Sequence, residues 1–226
     1  MAHEDDDYVQ ARERMLAEIT ALVIFNCGRL GKAALNRRVL EALADVPRHA
    51  FVPQDMQPYA YADSPLPIGC GKTISQPFIV AVMTDLLDPQ PDDKLLDIGT
   101  GLGYQTAILS RLASHVYSVE LIEALALSAR QRLRQLECDN VTLRVANGHQ
   151  GWSEHAPFDK IIVSAAPEEV PPALLDQLAP GGRLVLPAGP ADHQQLLVID
   201  KAGDGTLRRR DIFAVRFSVL EDTAPR

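Results

Sequence analysis

The chain has 226 residues, 46% of them hydrophobic and 23% charged, which is enough for one sizeable α/β domain and short for two. Its net charge of −8 argues against non-specific nucleic-acid binding, which depends on Lys and Arg to neutralise phosphates. No apolar run reaches the roughly 18 residues of a membrane span, and the acidic residues 1–7 lack the basic and apolar parts of a secretory signal. We therefore expect a cytoplasmic protein with one domain over 1–226, no nucleic-acid or membrane partner, and a disordered start at 1–7.

The three cysteines, Cys27, Cys70 and Cys138, are scattered along the chain. No two of them have the close spacing of metal ligands, and an odd number does not suggest a disulfide framework. We therefore expect reduced thiols and no metal site.

Residues 8–76 predict helices followed by a long irregular segment. Apolar residues at helical spacing predict an amphipathic helix over about 8–25 and a second over about 36–45, which Asn36 caps and Pro47 ends. The stretch 48–76 is rich in Pro and Gly, so it is predicted to be mostly loop and turn. Because long irregular segments in compact domains are often functional, we place the substrate side of the site here.

From residue 77, where Pro77 suits a first helical position, the core of the domain extends to 226. Strands are predicted at 94–99, 115–120, 141–146, 160–164 and 183–187, and helices at 103–112, 122–137 and 172–178. This alternation with short connections predicts an α/β fold with a doubly wound, mostly parallel sheet. Two further strand-like runs, 195–200 and 207–219, flank Gly203-Asp204-Gly205 and predict a closing antiparallel hairpin at the sheet edge.

The strongest motif is Asp97-Ile98-Gly99-Thr100-Gly101-Leu102-Gly103, in which an apolar strand ends in an acid and a glycine-rich turn opens a helix. Glycines let the backbone approach a ligand closely, and a helix N-terminus offers free N–H groups. The G-x-G-x-G spacing differs from the dinucleotide pattern G-x-G-x-x-G. A carboxylate at Asp97 suits the ammonium and sulfonium cations of S-adenosylmethionine. We therefore predict that Asp97, Gly99, Thr100, Gly101 and Gly103 bind this cofactor.

Two further strand ends are predicted to lie beside the same turn. Glu120, followed by Leu121, ends the second strand about 17 residues beyond Gly103, where an acid can hydrogen-bond both ribose hydroxyls. The alternative interpretation is that Glu120 is a solvent-exposed residue that caps a helix and binds no ligand. The third strand ends at Asn147-Gly148, where an adenine would lie by the same topology.

Several segments together resemble the protein-L-isoaspartate O-methyltransferases, and the resemblance extends from about Val39 to Leu220. It is carried by 46–53 (Val-Pro-Arg-His-Ala-Phe-Val-Pro), 66–77 (Leu-Pro-Ile-Gly-Cys-Gly-Lys-Thr-Ile-Ser-Gln-Pro), the glycine turn continued through 104–107, 157–163 and 181–187. Many methyltransferases share the glycine turn, whereas Thr-Ile-Ser-Gln-Pro is much more specific to this family. The resemblance implies the Rossmann-like class I methyltransferase fold, with S-adenosylmethionine as the cofactor.

The resemblance also implies the reaction, a methyl transfer from S-adenosylmethionine to the α-carboxylate of an L-isoaspartyl residue in a damaged protein or peptide. The methyl ester then collapses without the enzyme to a succinimide, which reopens partly to normal aspartate. Ser75 corresponds to the residue regarded as active, and Ile74 and Ser75 would lie over the cofactor. A carboxylate with a pKa of about 4 is already ionised at neutral pH, so no general base is needed.

One residue departs from the family, which usually has Gly-Asp-Gly where this chain has Ala146-Asn147-Gly148. An Asn side chain can accept a hydrogen bond from the adenine amino group, but it carries no charge. We expect cofactor binding to be weaker by about 1 kcal/mol, and Asn147→Asp to tighten it.

Two other functions are compatible with parts of the pattern. The first is a class I methyltransferase that acts on a specific peptide, a small molecule or RNA, although RNA binding calls for a basic surface and stacking aromatics. The second is a cofactor-binding adaptor without catalysis. The pattern leaves the oligomeric state open.

Overall fold

The computed structural model describes residues 2–224, with side chains described from residue 7. Three helices open the chain: α1 (Ala2–Phe25), α2 (Cys27–Leu30) and α3 (Arg37–Asp45). The backbone of residues 2–7, which the sequence predicts to be disordered, is therefore helical, while Met1 lies outside the described residues. Acidic residues are favourable in the first turns of a helix because they interact with its positive end.

The second predicted helix is confirmed as α3, with its predicted cap. The Asn36 side chain accepts a hydrogen bond from the Arg38 N–H at 3.0 Å, and the helix ends before Pro47. Because Val39, Ala42 and Leu43 lie on one side of α3 and are buried, this helix packs against the rest of the core.

The stretch 48–76, predicted to be mostly loop, contains more regular structure than its composition indicates. Two short 3-10 helices, Arg48–Phe51 and Gln54–Tyr59, precede an antiparallel hairpin of β1 (Leu66–Gly69) and β2 (Lys72–Ile74). The hairpin turns at Cys70, whose φ of 52° is left-handed. The sequence does not reveal these strands because they are only four and three residues long, and β1 itself contains Pro67 and Gly69.

Within residues 2–224 the central sheet has seven strands: β3 (Lys94–Ile98), β4 (His115–Glu120), β5 (Val141–Val145), β6 (Phe158–Val163), β7 (Leu178–Ala188), β8 (Gln194–Lys201) and β9 (Leu207–Val215). Their order is β5-β4-β3-β6-β7-β8-β9, and pairs are parallel up to β7 and antiparallel beyond it. The predicted parallel sheet and closing hairpin are confirmed. The second hairpin strand ends at Val215, four residues earlier than predicted.

Helices cover both faces of this sheet, as in a doubly wound fold. They are α4 (Pro77–Leu87), α5 (Tyr104–Ser110), α6 (Glu123–Gln135) and α7 (Pro172–Gln177). Successive residues of β3 point to opposite faces, so Leu95 joins one apolar cluster while Leu96 and Ile98 join the other. Among the described helices, none combines the length and apolar character needed to cross a bilayer. The carboxyl ends of β3 to β6 meet at one edge, where ligands of such sheets bind.

Candidate functional site

A glycine-rich turn between β3 and α5 forms the floor of the candidate site. Gly99, Gly101 and Gly103 have φ values of 89°, 58° and 100°, which side chains rarely adopt. A Cβ at Gly101 would also lie 3.2 Å from Ile68 Cδ1 in the hairpin. The turn therefore requires glycine for its backbone shape and for the close approach of β1.

Three adjoining cavities surround this turn. The inner cavity lies over the strand ends and is lined in part by Gly99, Gly101, Glu120, Leu121, Gly148 and Leu220. The loop cavity is lined in part by Ile74, Ser75, Thr100, Gly101 and Tyr104. The outer cavity is lined in part by Ser75, Gln76, Ile79, Arg216 and Phe217. The structure thus brings eight of the eleven predicted cofactor-binding residues, Ser75 among them, to the walls of these adjoining cavities.

Thr73 and Ser164 line all three cavities, so they mark the place where the cavities meet. Neither residue is among the sites predicted from the sequence. Ser164 follows the last residue of β6 and donates its backbone N–H to Ile98 O at 2.8 Å. Its position directly after a buried parallel strand is the sequence signal that could have identified it.

Glu120 is fixed at the wall of the inner cavity by the backbone around it. The side chain is 6% exposed, and its two oxygens accept hydrogen bonds from the Gly101 N–H at 2.8 Å and the Ile122 N–H at 2.9 Å. Burial is the main influence on this carboxyl and raises its pKa. Because each carboxylate oxygen has a second lone pair, Glu120 can still accept hydrogen bonds from a pair of ligand hydroxyls.

Asp97 lies beneath the turn and not in a cavity wall. It is fully buried, and its Oδ2 accepts hydrogen bonds from Thr106 Oγ1 at 2.6 Å and Ser118 Oγ at 2.9 Å. Its Oδ1 has no hydrogen-bond partner among the described residues. Burial, reinforced by the negative charge of Glu120, raises the pKa of Asp97 to about 6. The Ser118 hydroxyl also pairs with Thr100 Oγ1 at 2.6 Å, which links Asp97 to the turn.

Gly103 and Asn147 also lie outside the cavity walls. A Cβ at Gly103 would lie 3.3 Å from Leu133 Cγ, so this glycine allows α6 to pack against the turn. The Asn147 Oδ1 accepts a hydrogen bond from the His149 N–H at 2.8 Å, and its Nδ2 donates to Asp222 O at 3.1 Å and Asp222 Oδ1 at 3.2 Å. Both ends of the Asn147 amide therefore already have protein partners.

The segment 216–222 contributes residues 218–221 to the wall of the inner cavity. The Leu220 N–H donates to Ala166 O, and the Ala166 N–H donates to Ser218 O, each at 2.8 Å. Lys72 Nζ, in β2, pairs with Glu221 Oε1 at 2.8 Å. These contacts join the chain's end to β2 and to the loop after β6, so the inner cavity has protein on both sides.

Ser75 lines both the loop cavity and the outer cavity and lies two residues before the start of α4. Its carbonyl oxygen accepts a hydrogen bond from Arg48 Nη2 at 2.7 Å. Asp63 holds the next residues, since it accepts from Gln76 Nε2 at 2.6 Å and from the Phe78 N–H at 2.8 Å. The Ser75 hydroxyl forms no hydrogen bond with another described residue, so it remains available to a ligand.

Comparison with known proteins relates this site to one family. The family model described as Protein-L-isoaspartate(D-aspartate) O-methyltransferase matches residues 26–224. A Polaromonas protein named protein-L-isoaspartate O-methyltransferase 1 is 56% identical over 98% of this chain and 94% of its own length. One from Syntrophobacter fumaroxidans, named protein-L-isoaspartate O-methyltransferase 2, is 52% identical over 96% and 88%.

A solved structure gives the same relationship in three dimensions. It is of a Plasmodium falciparum protein named as a protein-L-isoaspartate O-methyltransferase, in complex with S-adenosyl-L-homocysteine. It matches this chain with a TM-score of 0.73 and 25% identity, covering 89% of this chain and 97% of that one. The residues 26–224 matched by the family model include all those that line the three cavities and the segment 216–222.

Proposed function

The chain belongs to the protein-L-isoaspartate(D-aspartate) O-methyltransferase family, and we propose that its three joined cavities perform the family's reaction. That reaction transfers a methyl group from S-adenosylmethionine to the α-carboxylate of an L-isoaspartyl residue. The observation that carries the proposal is the position of Ser75, which lines both the loop cavity and the outer cavity. A cofactor on one side and a peptide on the other would therefore meet at this residue.

The residues of the inner and loop cavities fit S-adenosylmethionine. Glu120 offers a buried acceptor of the kind that a ribose diol needs. Gly148 lines the inner cavity and packs so closely against Ile98 that a Cβ there would lie 2.5 Å from Ile98 Cγ2, so only glycine fits at this part of the wall. Leu121 and the turn residues Gly99, Thr100 and Gly101 complete the contacts. When bound, the cofactor supplies an electrophilic methyl group on its sulfonium sulfur.

The outer cavity suits an anionic peptide. Among the described residues that line it, Arg216 alone is charged, while Ile79 and Phe217 offer apolar surface. A substrate carboxylate is already ionised at neutral pH, so the protein needs only to orient it and remove its water. We propose that the Ser75 hydroxyl orients the substrate carboxylate. It can donate one hydrogen bond to a carboxylate oxygen and leave the other lone pairs of the carboxylate free to attack the methyl group. The resulting methyl ester collapses to a succinimide without the enzyme.

The decisive test is transfer of a labelled methyl group from S-adenosylmethionine to two matched peptides. One peptide contains L-isoaspartate and the other ordinary L-aspartate at the same position. We expect base-labile label on the isoaspartyl peptide alone. In isoaspartate the main chain continues through the side-chain carboxyl and leaves the α-carboxylate free, whereas in ordinary aspartate the α-carboxyl is part of the peptide bond. Equal labelling of both peptides, or none on either while the cofactor binds, would overturn the proposal.

Replacing Ser75 by Ala is expected to lower kcat for the isoaspartyl peptide about tenfold, the cost of one hydrogen bond to a charged group. The dissociation constant for S-adenosylmethionine should change less than twofold, because the side chain is assigned to the substrate. Single-turnover methyl transfer and calorimetry measure the two quantities separately. Wild-type kcat at saturating peptide would remove Ser75 from the proposed mechanism.

The contacts of Asn147 change what is expected of Asn147→Asp. Because the Asn147 amide donates to Asp222 at 3.1–3.2 Å, a carboxylate there would face a second carboxylate. We expect the single variant not to tighten cofactor binding, whereas Asn147→Asp combined with Asp222→Asn should tighten it about fivefold, roughly 1 kcal/mol. Titration of both variants with S-adenosylmethionine distinguishes this result from the tightening that the sequence alone predicts for the single change.

We also propose that the protein acts in the cytoplasm on isoaspartyl-containing proteins and peptides. In support, Cys27, Cys70 and Cys138 are all free thiols, two of them exposed, which is typical of a reducing compartment. Mass-spectrometric detection of reduced Cys27 and Cys70 in protein trapped directly from cells would support this location, whereas stable oxidation of both would contradict it.

A further inference from the structure

Arg48 is a charged residue in the interior, close to Ser75. It begins the first 3-10 helix and is 0% exposed. Its Nε donates to Ala60 O at 2.8 Å and its Nη2 to Ser75 O at 2.7 Å, while its Cζ lies 4.9 Å from the centre of the Tyr104 ring. No ion pair joins its guanidinium to a carboxylate among the residues whose side chains are described.

Such a group is costly to bury. An arginine without a paired carboxylate loses its hydration and regains only hydrogen bonds to neutral carbonyls and a contact with an aromatic face. Burial accordingly lowers the pKa of Arg48. An apolar side chain of similar volume would fill the same space at lower cost. Packing alone therefore does not account for the residue.

Arg48 restrains the main chain at Ser75, because it donates a hydrogen bond to the Ser75 carbonyl oxygen. The guanidinium lies in the interior, so its bond draws the Ser75 carbonyl inward and away from the outer cavity. A carbonyl oxygen turned towards that cavity would repel an incoming carboxylate, whereas the hydroxyl of the same residue can donate to one. On the other side, Asp63 holds Gln76 and Phe78 by side-chain hydrogen bonds. A cation and an anion thus restrain consecutive parts of one short segment.

We propose that Arg48 is a positioning residue for methyl transfer, which fixes the Ser75 backbone so that the Ser75 hydroxyl is presented to the substrate carboxylate. The inference rests on the proposed function of Ser75 and extends it to a residue outside the cavities. Small displacements of a positioned group have large effects on rate, because the reacting atoms must lie about 3 Å apart and in line. Arg48 therefore acts on kcat, through Ser75, and not on cofactor affinity.

The test is a double-mutant cycle between Arg48→Lys and Ser75→Ala. Lysine keeps the positive charge but lacks the rigid fork that reaches two carbonyls at once. We expect Arg48→Lys to lower kcat about tenfold when Ser75 is present and less than twofold when Ser75 is replaced by Ala. An equal fall in both backgrounds would mean that Arg48 acts independently of Ser75, and it would overturn the proposal.

Arg38→Lys is the matched control. Arg38 is an arginine whose guanidinium also donates to two backbone carbonyls, Pro89 O at 3.0 Å and Leu112 O at 2.7 Å, but it lies away from the three cavities. This control should keep wild-type kcat in both backgrounds. Cofactor titration counts folded molecules, so kcat is compared per binding site.

A second variant, Arg48→Met, tests the charge as well as the fork. If it folds, kcat should fall at least as far as in Arg48→Lys, with an unchanged dissociation constant for S-adenosylmethionine. Wild-type kcat in either folded Arg48 variant would overturn the proposal. Methylation of the isoaspartyl peptide by the wild-type enzyme, measured in parallel, tests the proposed function itself, so that a failure of the proposed function can be distinguished from a failure of the role assigned to Arg48.

Discussion

Replacing Glu120 by Gln is expected to weaken S-adenosylmethionine binding about a hundredfold. Glutamine has nearly the same shape, but one carboxylate oxygen becomes an NH₂ group that cannot accept a hydrogen bond. In the structure both oxygens accept backbone N–H groups, from Gly101 and Ile122, so one of these donors would lose its partner. The ribose would also lose a charged acceptor. Each charge-assisted hydrogen bond contributes about 1.5–3 kcal/mol, or roughly 10- to 150-fold in affinity, and the loss of more than one of them gives the hundredfold expected here.

Calorimetric titration of Glu120→Gln and of a control, Glu123→Gln, measures this effect. Glu123 lies three residues later, in the first turn of α6, and its side chain is exposed. The control should bind the cofactor like the wild type. If Glu120→Gln remained within threefold of wild type, the carboxylate would have no role in cofactor binding, and Glu120 would serve only to cap the turn and α6.

The same carboxylate predicts how cofactor affinity depends on pH. Burial raises the pKa of Glu120, so in the free protein it takes up a proton at a higher pH than an ordinary glutamate does. The protonated form is a poorer acceptor for two hydroxyls. Cofactor affinity should therefore fall as the pH is lowered towards this pKa, and the fall should be smaller in Glu120→Gln, which has no proton to bind.

The parts of the fold that the sequence predicts well are those with strong local signals. Strands β3, β4 and β6 each contain several buried apolar residues, and β3 is followed directly by the glycine-rich turn, so these strands and their carboxyl ends can be predicted from the sequence. The hairpin β1–β2 and the segment 216–222 have no such signal. They are held by long-range contacts such as Lys72 with Glu221, which no pattern within either segment reveals.

The residues of the candidate site likewise differ in how well the sequence predicts them. Glycines that must approach a ligand or a neighbouring strand are visible in the sequence, and Gly99, Gly101 and Gly148 line the inner cavity. Asp97 is also identified from the sequence, but its complete burial beneath the turn depends on how α5 packs, which the sequence does not show. Arg48 is hidden, because arginine is normally exposed and only the three-dimensional fold buries it.

Asp97→Asn is expected to change the pH dependence of stability. The pKa of Asp97 is raised from 3.8 to about 6 in the folded protein, chiefly by burial. The folded state thus holds this proton more tightly than the unfolded state does, and ionisation destabilises the fold. The penalty is fully present above the folded pKa, decreases as the pH falls through about 6, and disappears below 3.8. At pH 7.5 it amounts to about 3 kcal/mol, since one pKa unit corresponds to roughly 1.4 kcal/mol.

Asparagine stays neutral throughout, and its oxygen can still accept from Thr106 and Ser118. The difference in unfolding free energy, wild type minus Asp97→Asn, should therefore rise by about 1–2 kcal/mol as the pH falls from 7.5 to 5. Urea denaturation of both proteins at each pH measures it, and taking the difference removes carboxylates common to both. A difference that stayed constant with pH would show that Asp97 does not titrate in this range.

A buried carboxylate that destabilises the free protein at neutral pH invites a functional explanation, and the cofactor provides one. S-adenosylmethionine carries an ammonium and a sulfonium, and a cation above the turn would favour the ionised form of Asp97 through Coulomb attraction. The same Asp97→Asn variant should then be more stable than wild type at pH 7.5 without cofactor, yet bind the cofactor more weakly. The stability that ionised Asp97 removes from the free protein would thus reappear as affinity for a cationic ligand. Wild-type affinity in Asp97→Asn would instead make the residue a structural support for Thr100 and Ser118.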